Sequence, residues 1–256
     1  MPSSIPATLA ARLEEQEAVF GAWLFLSEPV AAQMATHAGY DYVCIDMQHG
    51  SADINTMNAM LTAIETGDAF PIARTTILDP GLIGRIIDAG ALGVIVPMVN
   101  NVEQAEAAVR ACRYAPVGER SVGPMGALTR FGGRYVAGAN ELVTVMPMIE
   151  TVEAVDNVEA IAAVPGVGAL YVGPADLSFS LGLPMGMDQD DPAFDAALQR
   201  VVAACEANGV IPGIQASPDL VAKRREQGFT MITVGYDYQP MAAAFRADLK
   251  ASQAAL

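Results

Sequence analysis

Residues 70–99, FPIARTTILDPGLIGRIIDAGALGVIVPMV, change period twice in thirty positions. FPIART (70–75) is a short run rich in strand formers. DPGLIGRIIDAG (79–90) is amphipathic at helical spacing, opens on an aspartate followed by proline and closes on glycine. GVIVPMV (93–99) is a second apolar run. An Asp cap, Pro at the first helical position and Gly past the last turn are the asymmetry of a real helix. Two strands joined through a helix lie parallel, and parallel strands covered on both faces read as nearly unbroken apolar runs.

The same alternation extends in both directions. Strands are predicted at FGAWLFL (20–26), DYVCIDM (41–47), FPIART (70–75) and GVIVPMV (93–99). Four more follow at LVTVMPMIE (142–150), ALYVGP (169–174), VIPGIQA (210–216) and TMITVGYD (230–237). Helices are predicted between them, among them NVEQAEAAVRACR (101–113) and DPAFDAALQRVVAACEANG (191–209). Eight such units in 256 residues are the inventory of a (β/α)₈ barrel in one domain, 1–256. A doubly wound open sheet is the alternative, but no GxGxxG opens the first helix and eight strands are many for it. PATLAARLEEQ (6–16) reads as a short helix plugging the barrel bottom. Two stretches break the rhythm, 114–141 and 175–190, and long loops in a compact domain are usually functional or interfacial.

Composition excludes several function classes. The net charge is −15, with 14 Lys and Arg against 29 Asp and Glu, a balance that argues against nucleic-acid binding, which needs a basic face. No apolar run is long enough to span a membrane, and the N-terminus lacks the pattern of a signal peptide. Three scattered cysteines without CxxC spacing argue against disulfides or a zinc site and fit buried thiols in a reducing cytoplasm. Hydrophobic residues make up 52% of the chain, an excess that points to buried subunit interfaces.

In a barrel of this kind chemistry sits where strands end. The second strand ends in Asp46, Gln48 and His49, the third in Arg74 and the fifth in Glu150. The sixth ends in Gly173, Pro174 and Ala175 before Asp176, and the last in Asp237. Each has an ordinary structural reading, as a helix cap, rim ion pair or turn residue. Together they place two carboxylates, an Asp–His pair and an arginine on one rim. Glu150 and Asp176 are hard oxygen ligands suited to Mg²⁺ or Mn²⁺ completed by water and substrate oxygens. A bidentate α-keto acid fits the open positions, and the ion then acts as a Lewis acid. Arg74 would stabilise an enolate oxygen, His49 held by Asp46 would carry protons, and the main chain around GPAD would receive a carboxylate.

At these residues the chain resembles the HpcH/HpaI aldolases, class II pyruvate aldolases of the phosphoenolpyruvate/pyruvate barrel superfamily. The likeness lies in DYVCIDMQHG (41–50), in residues 71–123 and in PMIETVEAVDNVEAIAAVPGVGALYVGPADLSFSLG (147–182). It implies reversible cleavage of a 4-hydroxy-2-oxo acid to pyruvate, or a close 2-keto acid such as hydroxypyruvate, and an aldehyde. It implies a divalent ion (Mg²⁺, Mn²⁺ or Co²⁺) on Glu150 and Asp176, protons handled by His49 with Asp46, and the keto oxygen bound by Arg74. Gln48, Gly173, Pro174 and Ala175 would contact substrate. Asp88, in RIIDAG, matches an acidic residue that supports the site, across a subunit contact in a homohexamer built as a dimer of trimers. The chain departs from the family at one point: Gln48 precedes His49 where relatives often carry glutamate. The aldehyde pocket is expected from 114–141 and from the region Val234–Tyr238. A CoA-thioester lyase of malyl- or citramalyl-CoA type is the alternative activity. The short stretch after the eighth strand disfavours it. A barrel that only binds a keto acid would need no proton carrier.

Overall fold

The computed structural model describes residues 7–255. Eight parallel strands close in sequence order, β1 pairing with β2 and so on round to β8, which pairs with β1. They are β1 (Val19–Leu24), β2 (Tyr42–Asp46), β3 (Phe70–Arg74), β4 (Gly93–Val96), β5 (Thr144–Ile149), β6 (Ala169–Val172), β7 (Ile211–Gln215) and β8 (Met231–Tyr236). Every strand expected from the sequence is present; most are trimmed by a residue or a few at their ends, and β1 begins one residue earlier than expected. The fold is a (β/α)₈ barrel.

The helices are α1 (Leu9–Glu15), α2 (Pro29–His37), α3 (Ile54–Ile64), α4 (Pro80–Asp88), α5 (Val102–Cys112), α6 (Met125–Phe131) and α7 (Tyr135–Leu142). They continue as α8 (Val152–Asp156), α9 (Val158–Ala162), α10 (Pro174–Ser180), α11 (Pro192–Asn208), α12 (Val221–Glu226) and α13 (Tyr238–Ala254). The expected caps form. Asp79 accepts from the Leu82 amide at 2.9 Å at the start of α4, and Asn101 accepts from that of Gln104 at 3.0 Å at the start of α5. Gly209 closes α11 in the left-handed region, φ 65°.

Two apolar cores follow from the alternation of side chains along each strand. Outward residues such as Val43, Ile45, Ala73, Val94 and Ile214 join the helices in one cluster. Inward residues such as Trp23, Cys44, Phe70, Ile72, Met146 and Tyr171 fill the barrel in another. Leu9 of α1 belongs to the inner cluster, so the N-terminal helix does plug the bottom. Cys44, Cys112 and Cys205 are free and buried. No helix among the described residues is long and apolar enough to cross a membrane.

Of the two stretches that broke the rhythm, 114–141 is largely helical, while 175–190 is helical only to Ser180 and irregular from 181 to 190. Residues 175–190 begin within α10, and 114–141 contain α6 and α7. The Gly-rich composition of 114–141 hid helices of seven and eight residues. The segment 114–141 joins the end of α5 to the start of β5, so it lies by the N-terminal ends of the strands. Phe131, Tyr135 and Ala139 close that end of the inner core. It therefore does not line the opposite mouth of its own barrel, contrary to the expectation for an aldehyde pocket.

Candidate active site

Period-two alternation carries the inner face of β2 from Tyr42 through Cys44 to Asp46, and that of β3 from Phe70 through Ile72 to Arg74. Asp46 and Arg74 are register partners at the C-terminal ends of these strands. Both are buried. The guanidinium grips the carboxylate with two bonds, Nε to Oδ1 at 3.0 Å and Nη2 to Oδ2 at 2.5 Å. Trp23 Nε1 donates to Oδ2 at 3.1 Å, and its indole lies under the guanidinium, 5.0 Å from ring centre to Cζ. Main-chain amides of Gln48 and His49 donate to Oδ1 at 2.9 and 3.2 Å. Burial alone would raise the Asp46 pKa, but the Arg74 bonds and charge, the indole N–H and the Gln48 amide outweigh it and hold the carboxyl below its usual value.

This corrects the expected Asp46–His49 pair. Asp46 reaches His49 through its backbone N–H, and its oxygens are filled by other donors. The His49 side chain projects, exposed, from the same rim. Gln48 lies between them with its Oε1 buried and without a protein partner.

Across the barrel, Glu150 follows β5 and is 2% exposed. It does not cap the next helix; Thr151 does, accepting from the Ala154 amide at 3.0 Å. Glu150 Oε1 accepts the main-chain N–H of Met98 at 2.7 Å. Burial drives its pKa up to about 7. The Met98 amide opposes this, the Asp176 charge adds to it and Arg74 opposes it. Asp176 stands in the first turn of α10, exposed and near enough to act on Glu150 electrostatically. Gly173, the N-cap of α10, clears space beside Glu150: a Cβ there would lie 2.6 Å from Oε2. Pro174 has no N–H, and the first amide bonded within the helix is that of Leu177, to Gly173 O at 3.0 Å. The Ala175 and Asp176 amides thus open the turn.

These features test whether a divalent cation fits. Glu150 Oε1 is occupied by an amide, while Oε2 faces the gap left by Gly173. A buried carboxylate with a raised pKa is short of a positive partner, and Asp176 brings a second hard oxygen donor. Among the described residues no three His, Cys, Asp or Glu side chains gather into a complete cage. The set fits an ion that keeps positions open for water and substrate.

Asp88 does not join this mouth. The helix α4 returns antiparallel to the strands, so its last residue lies by their N-terminal ends, where Asp88 accepts from Arg120 Nη2 at 2.7 Å. Any role at a mouth requires a second copy. Asp237 is structural: its carboxylate accepts the amides of Phe25 and Leu26 at 3.1 and 2.8 Å and ties β8 to the loop after β1. Sequence reading missed Trp23, Met148 and the Met98 amide. Trp23 carried a signal, as the one tryptophan of the chain at an inward position of its strand. A backbone donor carries none.

Known proteins of similar sequence and fold place the chain in a family. The family model described as HpcH/HpaI aldolase/citrate lyase matches residues 19–244. A hydroxypyruvate/pyruvate aldolase of Rhizorhabdus wittichii is 37% identical over 225 residues, covering 88% of this chain and 90% of that one. A 4-hydroxy-2-oxovalerate aldolase of Novosphingobium aromaticivorans is 42% identical over 207 residues, 78% of each chain. The crystal structure of an HpcH/HpaI aldolase/citrate lyase family protein from Burkholderia cenocepacia superposes with a TM-score of 0.84 at 37% identity, covering 92% and 95% of the two chains. The chain belongs to the HpcH/HpaI aldolase/citrate lyase family. It is an enzyme of the carbon–carbon lyase class.

Proposed function

We propose that the protein catalyses reversible aldol cleavage of a 4-hydroxy-2-oxo acid to pyruvate, or a close 2-keto acid, and an aldehyde. The observation that carries this reading is the joint placement of the Arg74–Asp46 pair, Glu150 and Asp176 at one end of one barrel. A divalent cation held by Glu150 and Asp176 would supply Lewis acidity toward the 2-oxo group. With Nε and Nη2 fixed on Asp46, Arg74 keeps Nη1 for a developing enolate oxygen; its present neighbour is the Met148 thioether, a weak acceptor at 3.8 Å. Asp46 locks the guanidinium plane, and its depressed pKa keeps it ionised rather than proton-carrying. His49, exposed on the rim, takes the proton of the 4-hydroxyl as the C3–C4 bond breaks and returns one to C3 of the enolate. The Ala175 and Asp176 amides of the GPAD turn suit the substrate carboxylate, and Gln48 would reach the substrate from the β2 side of the mouth.

Replacing Arg74 by Ala is expected to lower kcat about a hundredfold or more, the loss of one oxyanion donor. Wild-type turnover in that variant would remove Arg74 from the mechanism. EDTA should abolish cleavage, with Mn²⁺, Mg²⁺ or Co²⁺ restoring it.

A homo-oligomer belongs to the same reading. None of the residues of α13 is buried, and Met241, Phe245 and Leu249 form an exposed stripe one turn apart. The seam it would be expected to cover is open as well: outward Phe20 of β1 and Val234 of β8 are only partly buried. A second copy offers the matching helix for that seam.

A further inference from the structure

Met98 is the one non-glycine residue with positive φ, 55°, among the described residues. A bulky side chain in the left-handed region is an outlier that persists only where surroundings impose it. Its own side chain does not impose it, being 48% exposed. The constraint comes from the residues around the turn. Asn100 donates its amide to Gln104 Oε1 at 2.7 Å and accepts from Thr151 Oγ1 on its Oδ1 at 2.6 Å. Asn157 Nδ2 donates to Asn100 O at 2.9 Å. Thr151 directly follows Glu150, so Asn100 laces the loop after β4 to the turn that carries the buried carboxylate. The left-handed turn points the Met98 N–H at Glu150 Oε1, 2.7 Å away.

We propose that Met98, held left-handed by the Asn100–Thr151–Asn157 clasp, is a positioning residue: its main chain fixes Glu150 so that Oε2 is presented to a divalent cation beside Gly173. A turn that merely led into α5 would need no strain, since Asn101 already caps that helix. The strained conformation is accounted for by what its amide holds. This inference rests on the metal assignment given above.

The experiment titrates metal-free protein with Mn²⁺ and follows free Mn²⁺ by electron paramagnetic resonance, with circular dichroism confirming the fold. Met98→Gly keeps the amide and tolerates positive φ, so it should bind as wild type does. Met98→Val places a β-branched residue where φ is positive, and Asn100→Ala cuts the clasp at Oδ1, its direct bond to the turn that carries Glu150. Both should weaken Mn²⁺ binding about tenfold or more, the usual effect of losing a partner that orients a ligand. Should Met98→Val fail to fold, Asn100→Ala decides. Glu150→Gln serves as the control that separates the two readings. If wild type binds Mn²⁺ and Glu150→Gln does not, while Asn100→Ala and any folded Met98→Val bind as wild type does, the positioning role is overturned and the metal site stands. If wild type binds no Mn²⁺, both readings are overturned together.

Discussion

Asp46 accepts hydrogen bonds from Arg74 twice, from Trp23 and from two amides, which settles what it does. A fully satisfied buried carboxylate orients an arginine; it has no lone pair left for an imidazole. Glu150 is the opposite case, with one amide on one oxygen and a pKa near 7 caused first by burial. Its folded pKa exceeds the roughly 4.3 of an unfolded glutamate, so the folded state holds the proton more tightly. Ionised Glu150 therefore costs stability, in full above pH 7 and not at all below about pH 4, on the order of 3 kcal/mol in metal-free protein. Glu150→Gln is expected to raise the Tm of metal-free protein at pH 8 by several degrees and to change it little at pH 4, where unfolded and folded Glu150 are both largely protonated. Equal melting of the two proteins at both pH values would refute the assignment of that pKa to Glu150.

One level up, the mouth is assembled from turns rather than from strands. The β6–α10 junction works because glycine leaves room: a Cβ on Gly173 would meet Glu150 Oε2 at 2.6 Å and Met148 Cε at 2.9 Å. The backbone there is ordinary, φ −96°, so only the missing side chain matters. Gly173→Ala should fold and lose metal affinity by about tenfold or more, measured by calorimetric titration. Unchanged affinity would show that Oε2 faces elsewhere. The GPAD stretch was conspicuous in the sequence because it ends the sixth strand with an acid and falls within the segment 147–182 that carries the family resemblance. The turn at Met98 was not, because its contribution is a peptide N–H that every residue but proline possesses.

For the molecule entire, charge and uncovered surface set further expectations. All 14 Lys and Arg fall within the described residues, and none that lies near the mouth is free. Arg74 is held by Asp46, while Lys223 and Arg224 are both held by Asp188. Carboxylates crowd the same rim at Asp53, Asp79, Glu150, Asp176 and Asp191. An aldehyde bearing its own carboxylate finds repulsion there without a cationic partner. We expect kcat/KM for propanal to exceed that for succinate semialdehyde about tenfold, with the gap narrowing as salt shortens the Debye length below roughly 8 Å. Preference for the anionic aldehyde would contradict this. The stripe on α13 predicts association: light scattering should give a mass well above one chain, and Phe245→Glu should lower it. A monomeric wild type would leave α13 unexplained.

Strand number, helix alternation, both apolar faces and the closed barrel were legible in residue order alone, because burial on two faces imposes periods that need no knowledge of neighbours. The same alternation put Asp46, Arg74, Glu150 and Gly173 on inward positions at strand ends, and so brought the candidate residues to one rim. Who bonds to whom was not legible. Asp46 and His49 are three residues apart in sequence, yet the carboxylate turns to Arg74 on the next strand, since a buried anion is best compensated by a fixed bidentate cation. Asp88 and the segment 114–141 went to the far end of the barrel because each α-helix runs back against its strand. Contacts of this kind depend on register and on chain direction in three dimensions, and only the closed cylinder fixes both.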